Sequence, residues 1–121
     1  MKIPIFIENT DPAVLYNELK KLEPDTEFVL DKEQSKDRGI DPVIVAAVIS
    51  GSIASLSLII NSIITIWSVV YSNSKESGSI VIKDKNGTQL QFPIDTPQHK
   101  IDKFMKQAKQ MNIDFIGARR D

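Results

Sequence analysis

From Pro42 to Asn73 this 121-residue chain carries no charged side chain, while both flanks are rich in Lys, Asp and Glu. An uncharged run of that length has to leave water, either for lipid or for a protein interior. Asp41-Pro42 is a helix-opening pair, an acceptor for free backbone N–H groups followed by a residue that has none. One helix from Pro42 to Tyr71 would hold about 30 residues and run about 45 Å. A span needs only about 20 apolar residues. The excess implies tilt, a projecting end or a break near Ser50-Gly51-Ser52, and Ile53 to Tyr71 alone has the length to cross.

Plotted at the helical angle, the run has two faces. Ser50, Ala54, Ser57, Asn61, Thr65, Ser68 and Ser72 form a stripe, with Ala47, Gly51, Ser55 and Ser62 on or beside it. The other side carries Val45, Ile49, Ile53, Leu56, Ile60, Ile63 and Val70. Small and hydroxylated residues let membrane helices approach closely and hydrogen-bond across the contact. The stripe is therefore expected to be a helix–helix seam or a lumen face, with Asn61 paired across it. Trp67 and Tyr71 at one end suit an interfacial aromatic belt. The same pattern also fits the buried central helix of a soluble oligomer, and the loop charges do not orient a span.

Four segments follow from this reading. Residues 1–30 form a strand–helix–strand lobe. In it Ile3, Ile5 and Ile7 share a face, Pro4 confines the strand to an edge, Asp11-Pro12 opens a helix and Thr26 to Leu30 is a second strand. Residues 31–41 are a charged linker, and 42–72 are the long apolar helix. Residues 78–121 form a hairpin–helix lobe: Asn86-Gly87 turns between SIVIK and TQLQFP, Thr96-Pro97 opens a helix, and Ile113, Phe115 and Ile116 add a short strand. The N-terminal MKIPIFIE is too short for the apolar core of a secretory signal, so the internal run would act as its own uncleaved anchor.

Composition removes several chemistries. There is no cysteine and one histidine, His99, so thiolate metal sites and disulfides are out and a histidine cluster cannot form within one chain. A net charge of -1 and 7% aromatic residues argue against a nucleic-acid partner. No phosphate loop, nucleophile elbow or metalloprotease helix appears. Asp31, Glu33, Asp37 and Asp41 read as solvated linker residues. Lys100, Lys103, Lys106 and Lys109 read as the outer face of the last helix, or as contacts to anionic headgroups. No catalytic residue, metal or cofactor is expected.

The order of parts resembles the bacterial effector-associated constant component proteins, small chains found beside variable effector modules in conflict and antiphage systems. The features that carry the resemblance are the opening strand and helix, the charged approach, and a small-residue-rich helix closing in Ile66-Trp67-Ser68-Val69-Val70. The extended SIVIKDKNGTQLQF with its Asp84-to-Gly87 turn follows, then a helix. It implies no catalytic residues and a partner-dependent role. The expectation is thus an α+β protein with one transmembrane helix, a single-pass component of the bacterial inner membrane. It would self-associate through the Ser/Asn/Thr stripe to perturb the bilayer or recruit an effector. The alternative is a soluble or anchored adaptor whose lobes dock a partner effector.

Overall fold

The computed structural model describes residues 2–32, 43–48, 53–71 and 77–120. Nine elements follow in order: β1 (Lys2–Ile7), α1 (Pro12–Leu22), β2 (Glu27–Lys32), β3 (Val43–Val48), α2 (Ile53–Val70), β4 (Gly78–Asp84), β5 (Gln89–Pro93), α3 (Gln98–Ala108) and β6 (Ile113–Arg120). The strands make one six-stranded sheet in the order β2-β3-β1-β6-β4-β5. β1 and β6 pair in parallel at the centre, and every other neighbouring pair is antiparallel. β1 and β2, both antiparallel to β3, therefore run the same way with α1 between them in the chain. β5 and β6 are related in the same manner across β4, with α3 between them. The sheet is two split β-α-β units joined edge to edge through β1 and β6. Strands expected in two separate lobes share a single sheet.

The main correction concerns the uncharged run. It is a strand, β3, followed by a shorter helix, α2. Val43-Ile44-Val45 opens it with β-branched residues that suit an extended backbone. A short, fully apolar strand has no alternation to distinguish it from a turn of buried helix. The residues expected to start the long helix (Asp41-Pro42), the Ser50-Gly51-Ser52 break and most of the charged linker lie outside the described residues.

α2 lies over the sheet and touches both α1 and α3. Leu56, Ile59, Ile60, Ile63, Ile66 and Trp67 are buried against Ile3, Ile5 and Ile7 of β1, Ile80 and Ile82 of β4 and Ile116 of β6, within one continuous core. Burying each such side chain is worth roughly 1.5–3 kcal/mol. An apolar face already covered by its own sheet is not available to lipid. α2 has 18 residues, about 27 Å at 1.5 Å per residue, against a hydrocarbon core of about 30 Å. Among the described residues no helix is long and apolar enough to cross a membrane. The expected single-pass span, and the inner-membrane location built on it, are overturned.

Other local expectations fare better. The Asp11 carboxylate accepts the Ala13 N–H at 2.8 Å and caps α1. The Asn86-Gly87 turn closes the β4–β5 hairpin, with Gly87 at φ 99°, a conformation that glycine adopts freely. Asp84, buried, accepts N–H bonds from Asn86 at 2.9 Å and Asn112 at 3.0 Å, tying that turn to the start of β6. β1, expected at an edge because of Pro4, is instead central. Its pairing with β6 begins only at Ile5, so the proline stands where the strand is paired on one side.

Two substitutions separate the helix's buried and outer sides. Ile60→Ala should cost about 2–5 kcal/mol in denaturant unfolding. Thr65→Ala, on the exposed side, should stay within about 0.5 kcal/mol of the parent. Equal losses at the two positions would mean that α2 does not lie on the sheet as described.

Candidate docking face

The residues expected to form a helix–helix seam do not form one surface. Ala47 belongs to β3, opposite Ile3 and Phe28, and is fully buried in the core. Ser50 and Gly51 lie outside the described residues, and Ala54 and Ser55 fall in the first turn of α2. Ser62 is buried; its hydroxyl donates to the Leu58 carbonyl at 2.8 Å and lies 3.2 Å from Glu23 Oε1 on α1. Ser57 and Asn61 are half-buried, and Thr65 and Ser68 are exposed. Thr65 and Ser68 donate to the carbonyls one turn back, of Asn61 and Ile64. Such bonds satisfy a hydroxyl within its own helix and leave no need for a partner. Thr65 and Ser68 lie on the side that a sheet-packed helix turns to water.

Trp67 and Tyr71, expected at a lipid interface, clamp the end of α2. Trp67 is buried over Gly78, where a Cβ would fall 2.3 Å from the indole. Tyr71 packs on it with ring centroids 4.2 Å apart, and its hydroxyl donates to the Glu8 carbonyl at 2.7 Å.

The helices cover one side of the sheet. Among the described residues, none packs on the other. Register places Pro4 and Phe6 of β1 on that side beside Ile44 and Ala46 of β3, and Phe115, Gly117 and Arg119 of β6 beside Lys83 and Val81 of β4. Ala46 and Val81 are buried, Phe6 and Phe115 half-buried and Arg119 exposed. A bulge at Lys83/Asp84, which pairs Asp84 with Ile113 and Lys83 with Phe115, leaves Asp114 as the extra residue.

The aromatic pair organises this face. Phe6 lies directly over Gly117, where a Cβ would come within 2.2 Å of its ring. Phe6 and Phe115 meet with centroids 5.3 Å apart and planes tilted by 50°. The Arg119 guanidinium stands 5.3 Å from the Phe6 centroid and 5.9 Å from that of Phe115. Lys83 Nζ approaches Phe115 at 6.0 Å. Both cations are thus held by ring quadrupoles. Beside them is a shallow cavity of about 270 Å³, lined by Pro4, Phe6, Ile44, Asp114, Phe115 and Arg119 among others.

The sequence held a signal for this face. Alternation in KIPIFI sets Phe6 opposite Ile3, Ile5 and Ile7. In β6, Phe115 likewise opposes Ile116. Large apolar residues out of phase with a core stripe mark a second surface that is not merely solvated. Among the described residues no cluster of three His, Asp or Glu could hold a metal ion. The face offers apolar contact and positive charge. Comparison with protein-family models, with curated proteins and with solved structures finds no match.

Gly117→Ala should drive Phe6 off β6 and cost about 1–3 kcal/mol in chemical denaturation. In a Phe6→Ala background the same change should cost far less, because the ring it displaces is gone. Additive losses in that double-mutant cycle would show that the two sites are uncoupled.

Proposed function

We propose that this chain is a non-catalytic docking module, an adaptor that binds a partner protein on the bare side of its sheet. The observation that carries this reading is that face, on which no described helix packs and where two phenylalanines, Pro4 and Ile44 sit beside two cations. A monomer's surface seldom groups large apolar residues without a binding role, and aromatic residues with arginine are what interface centres favour. The resemblance to effector-associated constant components agrees with it, since such a chain works through the effector encoded beside it. Antiphage defence and an effector partner belong to this proposal; action on the bilayer does not.

The test is site-directed photo-crosslinking in the native host. A crosslinkable residue at Val29, on the bare side of β2, should yield a discrete adduct with one partner protein. The same residue at Thr65 should not. Crosslinks from Thr65 alone would place the interface on the helices and end this reading.

A second reading, self-association, draws on one observation. Leu58 and Val69 are exposed on α2, Val69 at 69% of its surface. They lie on the same side as Asn61, Thr65 and Ser68, so part of the small-residue stripe would then face a second copy. A solution mass above that of one chain, reduced by Val69→Asp, is the expected result; a monomer at all concentrations removes it.

A further inference from the structure

We infer that β5 is a self-pairing edge, against which a second copy of this chain lays its own β5 antiparallel about a two-fold axis at Leu90. The inference goes beyond the docking reading and does not depend on it. β5 ends the sheet and, among the described residues, pairs on one side only, with β4. The Asp84 N–H donates to the Thr88 carbonyl at 2.8 Å, and the Ile94 N–H to the Gly78 carbonyl at 3.0 Å. Bonded residues alternate along an antiparallel pair, so the even positions from Thr88 to Ile94 turn their backbone groups to β4. Gln89, Gln91 and Pro93 turn theirs outward. Pro93 has no N–H to leave unpaired, and its carbonyl already accepts from the Thr96 N–H at 3.1 Å and from the Thr96 hydroxyl. What the edge still offers is the N–H and C=O of Gln89 and of Gln91. Groups in that arrangement are the template for another strand.

The register that uses all of them is self-complementary. With Leu90 on the axis, Gln89 stands opposite Gln91 of the second copy, and each such pair exchanges both of its bonds. Pro93 then falls just past the paired residues, where its missing N–H costs nothing. The side chains fit the same register on both sides of the sheet. Leu90, half-buried at the rim of the core, meets Leu90 of the second copy at the close spacing of a non-hydrogen-bonded pair. On the other side Gln89 Nε2 donates to Gln91 Oε1 at 2.9 Å, and the exposed amides of a second copy extend that chain of bonds. No charge lies between Thr88 and Ile94, so two copies meet there without repulsion. The opposite edge, β2, carries Glu27, Asp31 and Lys32, the kind of residues that keep an edge single. The two-fold contact is closed, and it joins two six-stranded sheets with their bare faces on the same side.

The test is sedimentation of the full chain over a range of concentrations, with amide hydrogen exchange followed by NMR. The expected species contains two chains, and its Gln89 and Gln91 amides should exchange about tenfold more slowly than on dilution to the monomer. The Leu90 amide, bonded to β4, should be slow in both. Gln89→Glu/Gln91→Glu sets like charges opposite each other across the axis and should raise the dissociation constant about tenfold. Gln89→Glu/Gln91→Lys sets opposite charges there and should restore the dimer, while Val69→Asp on α2 should leave it intact. Thermal melts check that the variants are folded; should one melt early, exchange at Gln89 and Gln91 in the parent chain decides. A monomer at every concentration, a dimer without added protection at those two amides, or no recovery with the Glu/Lys pair would each overturn the inference. So would a dimer lost with Val69→Asp and kept with the two glutamates, since its contact would lie on α2.

Discussion

Everything in this molecule hangs on the parallel pairing of β1 with β6, in which Ile5, Phe6 and Ile7 meet Ile116, Gly117 and Ala118. The pair joins the two split β-α-β units and sets both faces at once, isoleucines toward the helices and phenylalanines away. Its end is locked by side chain as well as backbone. Glu8 donates its N–H to the Ala118 carbonyl at 2.9 Å, and its carboxylate accepts the Arg120 N–H at 2.6 Å. Contacts that bridge almost the whole chain are slow to form, because loop closure must be met before any contact compensates it. The β4–β5 hairpin is the local element from which such a sheet can grow.

The pairing also explains the fate of the uncharged run. A sheet with helices on one side needs a central helix apolar along one flank and tolerant of water along the other. α2 meets that need with Ile59, Ile60, Ile63 and Trp67 inward and Thr65 and Ser68 outward. Small hydroxylated residues alternating with aliphatics are what a membrane seam and a sheet-packed helix both use. The difference lies in which face is already covered. Here the aliphatic face is covered by the chain's own strands, and the hydroxyls that reach water are satisfied by carbonyls one turn back.

The bare face follows from the same geometry. With one central helix and two crossover helices on a single side, only strands lie on the other among the described residues. Phe6 can cross onto β6 only because position 117 has no side chain. The guanidinium of Arg119 then has two rings to lie against, and the face acquires fixed charge beside an apolar hollow. A docking surface of this kind is a product of strand order, since Phe6 and Phe115 are more than a hundred residues apart in the chain.

The sequence by itself determined most of the local elements. Alternation located β1, Asp11-Pro12 opened α1, Asn86-Gly87 turned the hairpin, and periodicity outlined α3 with Ile101, Met105 and Ala108 inward. These signals are short-range and depend on backbone and side-chain preferences within a few residues. Position was decided elsewhere. Only tertiary pairing made Val43–Val48 a strand between β1 and β2, put Pro4 at the centre of a sheet, and turned the charge-free run inward onto protein. Hydrophobicity requires that such residues leave water without saying what they meet, and what they meet here is set by contacts with distant strands.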